Sequence, residues 1–287
     1  MRIRNSLDLR AFLIASVAVL TLVSCGKEAV PIAPNDAVET ASPEPASAER
    51  REPGNESGDA VYAAIVAAVA DPARFERDRE RDENRKPEAM LSFMEVKPGL
   101  SVFEIEAADG YMTELFSRAV GSGGSVVMQN PLGFRDLIRG LVDARLADSR
   151  LPNVRASYSY FDALDAENAS IDLVTWVLGP HELYCQDECG DVGDPMKAYA
   201  EIARILKPGG AFVAIDHAAA EGSPETTGND LHRIDPAIVK GMAEQAGFVL
   251  EAEGDFLFNP DDPLSVNISE IPRGLTSQFA LRFRKPG

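Results

Sequence analysis

Residues 96–130, VKPGLSVFEIEAADGYMTELFSRAVGSGGSVVMQN, decide the fold of this chain. The apolar run Ser101–Ile105 predicts a buried strand, the loop after it ends at Gly110, and Tyr111–Val120 predicts a helix. A glycine-rich turn then leads into a second apolar strand over residues 125–129. This order is typical of a nucleotide-binding unit whose ligand lies over the loop between the first strand and the helix.

The loop itself carries a recognisable pattern of residues. Glu104 lies near the end of the first strand, and Glu106, Ala108 and Gly110 follow at every second position. This resembles the first motif of class I S-adenosylmethionine-dependent methyltransferases, in which a strand with an acidic residue runs into a Gly-x-Gly-x-Gly loop. Only the last of the three glycine positions is a glycine here. The resemblance implies that these four residues bind S-adenosylmethionine.

The two substituted glycine positions carry separate expectations. Glu106 would place a carboxylate against the methionine carboxylate of the cofactor, unless it pairs with the cofactor's ammonium group. Ala108 fits a loop of this kind only if its φ stays negative, because a Cβ disfavours the left-handed region.

Two further stretches extend the resemblance to the C-terminus. Residues 199–216, YAEIARILKPGGAFVAID, predict a helix, a turn over residues 207–210 and a buried strand. Pro208 stops the helix and Gly209 can supply a positive φ, as in the "LKPGG" turn of the same family. Residues 249–255 and 277–283 predict two strands joined by a long loop. The expected fold is therefore α/β, a Rossmann-like, seven-stranded, mostly parallel sheet with helices on both faces and a C-terminal antiparallel hairpin.

The remaining elements follow from hydrophobic periodicity and proline positions. Strands are predicted over Val154–Tyr158 and Ile171–Val177, and helices over residues 87–95, 134–146, 195–206 and 236–246. The charged run over residues 74–86 has two interpretations. It is either a solvated helix or a lid whose arginines meet an anionic ligand.

The second and third strands contribute further candidate cofactor ligands through the resemblance. In the family, an acidic residue at the end of the second strand binds the ribose hydroxyls, and Gln129 or Asn130 holds that place here. After the third strand, Asp162 in YFDAL matches the acidic residue near the adenine amine. The alternative for Asp162 is an ordinary turn aspartate.

All three histidines of the chain follow predicted strands four and five. They are His181, His217 and His232, and we expect them to converge at one sheet edge. Residues 216–240, with the Asp216-His217 pair and the HRID sequence at 232–235, resemble a group of predicted bacterial methyltransferases exported to the periplasm. His217 or His232 would accept the proton of the methyl acceptor, with Asp216 or Asp235 orienting it. Surface histidines are the alternative.

Cys185 and Cys189 lie four residues apart in HELYCQDEC. In an oxidising compartment this spacing favours a local disulfide. Free thiols are one alternative, and a metal site of His181 with both cysteines is another, although it lacks a fourth ligand. We predict no metal site.

The N-terminus predicts export. A positively charged start is followed by an apolar run over residues 11–23 that is too short to span a bilayer. It ends in LVSC, which resembles the lipobox of bacterial lipoproteins and implies that Cys25 is acylated after cleavage. An ordinary signal peptide with an incidental cysteine is the alternative. Because Gly26 rather than aspartate follows, we expect a lipoprotein of the outer membrane that faces the periplasm.

The chain therefore divides into four predicted parts. They are a signal peptide (1–24), a disordered tether rich in proline, alanine and glutamate (25–58), a helical extension (59–95) and a methyltransferase-like domain (96–287).

Charge restricts the partners. The 287 residues include 28 Lys and Arg against 46 Asp and Glu, a formal net charge of -18, which repels nucleic acid phosphates. We therefore expect a small-molecule substrate, membrane attachment through the lipid alone, and no nucleic acid partner. Two alternatives to an enzyme remain: a degenerate methyltransferase fold that binds another ligand, or an envelope interaction protein.

Overall fold

The computed structural model describes residues 56–185 and 192–287. The predicted signal peptide, nearly all of the predicted tether, Cys25 and Cys189 lie outside these ranges. Within the two described ranges, no helix combines the length and the apolar character that crossing a membrane requires.

Seven strands form one sheet in the order β3-β2-β1-β4-β5-β7-β6. Their bounds are β1 Ser101–Ile105, β2 Ser125–Asn130, β3 Val154–Tyr158, β4 Ile171–Val177, β5 Leu206–His217, β6 Val249–Gly254 and β7 Gln278–Arg284. All neighbouring pairs are parallel except those that involve β7, which runs antiparallel to β5 and β6. The predicted fold class is confirmed, with strand boundaries within one residue except at the start of β5.

Helices cover the sheet on both faces. The described helices are α1 Glu56–Ala70, α2 Glu76–Arg79, α3 Asp82–Arg85, α4 Pro87–Phe93, α5 Tyr111–Val120, α6 Arg135–Leu146, α7 Pro195–Ile205, α8 Thr227–Leu231 and α9 Pro236–Gln245. Proline opens α4, α7 and α9, where its missing N–H has no intrahelical partner to lose. Asp194 and Asp235 cap α7 and α9 by accepting a backbone N–H.

The helices pack into two apolar cores. One packs α1, α4 and α5 against residues such as Val102 and Val213, and the other packs α7 and α9 against Phe212 and Trp176. Strands β4 and β5 are buried along nearly their whole length, which explains their continuous apolar sequence.

Three local predictions differ from the structure. Residues 74–86 do not form one solvated helix: they form α2 and α3, and Arg74 and Asp78 are buried. The turn over residues 207–210 is an irregular start of β5 rather than a separate element, although Gly209 has the predicted positive φ of 76°. Helix α1 begins at Glu56, three residues before the predicted start of the helical extension at residue 59.

Candidate active site at the carboxyl ends of the strands

The loop between β1 and α5 has a glycine-type backbone without the glycines. Glu106, Ala108 and Gly110 have φ of 55°, 49° and 80°, so all three glycine positions of the motif adopt left-handed conformations. The expectation of a negative φ at Ala108 is wrong. The loop is held in this shape because Glu106 N–H donates to Gln129 Oε1 (3.0 Å) and Ala108 N–H donates to Asn130 Oδ1 (2.8 Å).

The two amides at the end of β2 therefore support the loop. Gln129 and Asn130 are both buried, and Gln129 Nε2 also donates to the carbonyl of Ser159 at 2.8 Å. Two buried polar atoms of the described residues at this edge have no protein partner, Asn130 Nδ2 and Ser159 Oγ. These two groups, rather than the amide oxygens, remain for a ligand.

The side chain of Glu106 points to β4 and not to the mouth of the loop. Its carboxyl group accepts the indole N–H of Trp176 at 3.0 Å. Gly179 makes room for this contact, because a Cβ there would lie 2.3 Å from Glu106 Oε2. Burial and the nearby carboxylate of Glu182 raise the pKa of Glu106 well above its ordinary value. The raised pKa and the contact with Trp176 both reduce the expected repulsion of a ligand carboxylate.

Glu104 has a similar electrostatic character. It is buried at the end of β1 and accepts the hydroxyl of Thr113 from α5. Burial raises its pKa to about 8, against the opposing effect of Thr113. In the structure it ties β1 to α5.

The three histidines do converge. The ring centroids of His181 and His232 are 5.5 Å apart with perpendicular planes, and those of His181 and His217 are 6.1 Å apart. His181 is buried in the turn after β4, and His217 is buried at the end of β5. His232 ends α8 with φ of 51°. The carboxyl ends of β4 and β5 therefore share one imidazole cluster.

Asp216 orients His181, a residue for which the sequence predicted no catalytic role. The Asp216 carboxylate contacts His181 Nδ1 at 2.9 Å and accepts the His181 backbone N–H at 2.7 Å. It also accepts the backbone N–H of His217 at 2.8 Å. Burial opposes charge on His181, but Asp216 and Glu182 raise its pKa to about 10. The predicted pairing of Asp216 with the His217 imidazole is not observed.

His217 has the opposite character. Its Nδ1 lies 2.8 Å from Thr276 Oγ1. Burial lowers its pKa to about 4 despite the nearby carboxylate of Asp216. A neutral imidazole and a charged one thus stand side by side, an arrangement typical of sites that move protons.

Asp235 accepts hydrogen bonds from backbone N–H groups and does not orient His232. Its carboxylate accepts the N–H groups of Ala237 (2.8 Å) and Gly222 (2.6 Å), so it caps α9 and ties down the loop after β5. Arg233 beside it is fully buried and forms a two-point ion pair with Asp262 at 2.9 Å. The predicted orienting role of Asp235 has no support in this geometry.

Asp162 behaves as a turn residue. It is half-buried, and its carboxylate accepts the backbone N–H of Asp194 at 3.1 Å, just before α7. Cys185 is buried and disulfide-bonded, and the predicted partner Cys189 lies outside the described residues.

The segment of α2 and α3 covers the start of α5 with arginines. The guanidinium groups of Arg81 and Arg85 lie 4.9 and 4.7 Å from the ring centroid of Tyr111, and Arg81 pairs with Asp109 at 3.1 Å. Arg85 has no carboxylate within ion-pair distance among the described residues. Burial and the charge of Arg81 lower the pKa of Arg85. This geometry favours the second interpretation of residues 74–86, a lid that brings an arginine to the site.

A buried ionic network fixes that lid. Arg145 of α6 is fully buried and contacts Asp78 and Glu114, each at 2.5 Å. Glu114 also pairs with Arg118 and Arg150 at 2.7 Å. The lid is therefore anchored to α5 and α6 by charges that water does not screen.

Comparisons with known proteins agree with this architecture. The ubiquinone/menaquinone biosynthesis C-methyltransferase UbiE of Marinomonas sp. is 28% identical over 154 residues, which cover 53% of this chain and 57% of that protein. The enzyme of the same name from Hydrogenovibrio crunogenus is 27% identical over 121 residues, covering 42% of this chain and 43% of that protein. The chain thus spans about half the length of these relatives. No protein-family model matches it.

Solved structures are similar in fold. A SAM-dependent methyltransferase from Aquifex aeolicus has a TM-score of 0.53 at 17% identity, covering 78% of this chain and 98% of that one. Phosphoethanolamine N-methyltransferase 2 of Haemonchus contortus, solved in complex with S-adenosyl-L-methionine, has a TM-score of 0.51 at 16% identity, covering 72% of this chain and 53% of that one. The chain therefore has the fold of the class I S-adenosylmethionine-dependent methyltransferases and is a distant sequence relative of the UbiE C-methyltransferases.

Proposed function

We propose that this protein is an S-adenosylmethionine-dependent methyltransferase that acts on a small molecule. The observation that carries the proposal is the loop after β1. It lies at the switch point of the sheet, where ligands of such folds bind, and it keeps left-handed backbone at all three glycine positions although two are not glycine. The two sequence relatives, which are C-methyltransferases by name, support the same reaction class.

The residues around the loop fit this cofactor. Asn130 Nδ2 and Ser159 Oγ are unpaired polar groups beside the carboxyl ends of β2 and β3, where they can bond the hydroxyls or ring nitrogens of a nucleoside. Glu106 has a raised pKa and is bonded to Trp176, so it opposes an anionic group at the loop less than an exposed carboxylate would.

Arg85 is the candidate for the carboxylate end of the cofactor. It is half-buried above Tyr111 and next to the loop, and it forms no direct ion pair with a described residue, although the Asp109 carboxylate acts on it from further away. A partly desolvated guanidinium without a directly bonded counter-ion favours an anionic ligand, and a carboxylate matches its fork of donors.

The chemistry of the site is positioning and proton transfer. Bound S-adenosylmethionine supplies a methyl group on a sulfonium centre. The chain's own part is to align the acceptor and to take its proton. His217 is the proposed proton acceptor, because its imidazole lies at the end of β5 and Thr276 holds it there. His181, clamped by Asp216, is the proposed positioning residue beside it.

Calorimetry tests cofactor binding on the full chain purified in mild detergent. We expect S-adenosylmethionine or its demethylated product to bind with a Kd of tens to hundreds of micromolar, an order-of-magnitude value for a site with one charge-assisted anchor. Arg85→Gln should weaken binding by about tenfold to a hundredfold, the loss of one charge-assisted hydrogen bond. Arg79→Gln is the matched control, because Arg79 is exposed on the same segment.

Two results would contradict the proposal. The first is no binding of either ligand by the wild-type chain at millimolar concentration, which would favour a binding module for another ligand. The second is equal weakening by Arg85→Gln and Arg79→Gln, which would show a general charge effect and remove Arg85 from the site.

We further propose that the mature protein is held at the bacterial envelope by a lipid on Cys25, facing the periplasm. The support is the sequence alone, namely the charged start, the apolar run and LVSC before a stretch poor in large apolar residues. Cys25→Ala should release the protein from the membrane fraction, and Cys25→Ser should do the same. Unchanged membrane fractionation of both variants would refute the anchor.

A further inference from the structure

The imidazole cluster contains a set of possible metal ligands that does not include the proposed proton acceptor, His217. One ligand atom each of His181, Glu182 and His232 lies within 4.8 Å of the others. His181 is buried and the other two are half-buried, so the set faces the site rather than the bulk surface.

The spacing of two of these atoms suits a metal ion. His181 Nε2 and Glu182 Oε1 are 3.5 Å apart. Two ligands about 2.1 Å from a tetrahedral metal are about 3.4 Å from each other. The pair is thus at the separation of two ligands on one ion. His232 comes from a different element, the end of α8, and its ring is perpendicular to that of His181.

Asp216 provides an independent observation. Its carboxylate contacts His181 Nδ1 at 2.9 Å, so Nδ1 carries the proton and Nε2 points at the cluster. Metal-binding histidines almost always donate their second ring N–H to a carboxylate or a carbonyl in this way, which fixes the tautomer. The outer contact of a metal site is therefore already in place.

We infer that His181, Glu182 and His232 form a binding site for one divalent transition-metal ion, with Asp216 supporting His181 from behind. Two imidazoles and one carboxylate suit Zn²⁺, Fe²⁺ or Co²⁺ better than Ca²⁺ or Mg²⁺, which prefer oxygen ligands. Three protein ligands leave at least one coordination position for water or for an oxygen or nitrogen donor of a small molecule. This inference does not rest on the proposed methyl transfer, although His181 belongs to both sites.

The competing explanation is a purely structural histidine. In that case His181 carries a proton on Nε2, pairs with Asp216 through Nδ1 and with Glu182 through Nε2, and binds no ion. His232 would then be a neighbour without a ligand role. Metal binding and its dependence on His232 separate the two explanations.

Cobalt is the probe, because Co²⁺ in such a site has visible d–d absorption that reports its ligands. The full chain, purified without a histidine tag and freed of metal with a chelator, is titrated with Co²⁺ and then with Zn²⁺. We expect one Co²⁺ per chain, bands typical of four or five ligands, and displacement of Co²⁺ by Zn²⁺. The measurement needs neither S-adenosylmethionine nor a methyl acceptor, so its outcome is separate from that of the proposed function.

Three variants assign the ligands. His232→Asn keeps a residue that tolerates the left-handed backbone, so the fold should survive while the imidazole is lost. This variant and Glu182→Gln should each weaken Co²⁺ binding by at least about tenfold, since even outer-contact changes cost 10–100-fold. His217→Asn is the matched control, because its ring belongs to the same cluster but not to the ligand set. It should keep the wild-type affinity within about threefold.

The inference fails if the wild-type chain binds no Co²⁺ in stoichiometric amount. It also fails if His232→Asn, with an unchanged circular dichroism spectrum, binds as tightly as wild type. Equal loss in His217→Asn would likewise overturn the assignment of these three ligands.

Discussion

Ala108 allows a direct test of the left-handed backbone conformation of the loop. It has φ of 49°, and its side chain is a single exposed methyl group. A non-glycine residue in the left-handed region costs roughly 1 kcal/mol or more. We expect Ala108→Gly to raise the free energy of unfolding by about 1 kcal/mol, because it removes this strain and loses no contact. Urea denaturation at neutral pH measures the change.

Ala107 provides the control for that substitution. It is buried, it does not have a positive φ, and its N–H donates to the carbonyl of Gln129 at 2.8 Å. Ala107→Gly should therefore lower the free energy of unfolding by about 0.5–1 kcal/mol, the usual effect of added backbone freedom. Destabilisation by both substitutions would show that the loop does not hold Ala108 in a strained conformation.

Glu104 predicts a pH dependence of stability. Its pKa in the folded chain is about 8, against 4.5 as the ordinary value. The folded state thus binds the proton more tightly, so the stabilising effect is complete below about pH 4.5 and is lost as the pH rises towards 8. Glu104→Gln keeps an acceptor for Thr113 but cannot ionise. Relative to wild type, this variant should gain on the order of 3 kcal/mol between pH 5 and pH 8.

Urea titrations of both proteins across that range give this difference directly. Other ionisable groups cancel in the comparison, because both chains contain them. A difference that does not change with pH would mean that Glu104 is solvated and ionises as an ordinary glutamate.

At this scale the sequence predicted which residues gather but not what they contact. The convergence of His181, His217 and His232 followed from strand order, since the loops after parallel strands meet at one edge. The partner of Asp216 did not, because an alternating pattern cannot tell whether a carboxylate reaches the next residue or a neighbouring strand's loop. The contact between His181 and Asp216 was not predicted. The loop after one parallel strand lies close to the end of the neighbouring strand, and this proximity could have indicated the contact.

The lid formed by α2 and α3 shows how an element can depend on buried charge. Asp78 is fully buried and contacts Arg81 and Arg145, each at 2.5 Å. Removing one partner of a buried ion pair leaves the other charge without compensation. We expect Asp78→Asn to lower the free energy of unfolding by about 2–4 kcal/mol, somewhat less than a complete loss because Glu114 still pairs with Arg145.

Hydrogen exchange followed by mass spectrometry locates that effect. Amides of residues 74–86 should lose protection in Asp78→Asn, whereas those of β1 and β4 should keep it under conditions that favour local opening. Glu80→Gln removes the same charge from an exposed position of the lid and should change neither stability nor exchange. Equal effects of the two substitutions would show that net charge, and not the buried network, holds the lid.

Elements with strong apolar periodicity were predicted nearly to the residue, and β1, β3 and β4 have their predicted bounds. Their pattern is set locally by alternation or by complete burial. For residues 74–86 the first of the two interpretations, a solvated helix, was wrong, because alternating charges look like a solvated surface. Only the tertiary structure shows that Asp78 meets an arginine from α6, 67 positions away.

The whole molecule combines an acidic surface with an arginine-rich lid. The chain has a formal net charge of -18, yet Arg81 and Arg85 meet over Tyr111 next to the loop. Arg81 is paired with Asp78 and Asp109, so the guanidinium of Arg85 is the group that can attract a small anion, whereas the net negative charge repels polyanions such as nucleic acids. This distribution is consistent with the proposed small-molecule substrate.

The oxidation state of the cysteines is a property of the whole protein that can be measured. The chain has three cysteines, of which Cys185 is buried and disulfide-bonded at the end of the turn Pro180–Tyr184 that carries His181. We predict that Cys189 is the partner. Closing so short a loop stabilises a fold by about 2 kcal/mol in the chain-entropy account, so reduction should lower the free energy of unfolding by about that amount.

Intact mass after alkylation tests the bond in protein isolated from its own cell, in a Cys25→Ser background that leaves only the two cysteines in question. No alkylated thiol is expected without reductant, and two are expected after reduction. Because such bonds persist in oxidising compartments and are rare in the cytosol, this result would also support the proposed export. Two alkylated thiols before reduction would contradict the disulfide and weaken the case for a periplasmic location.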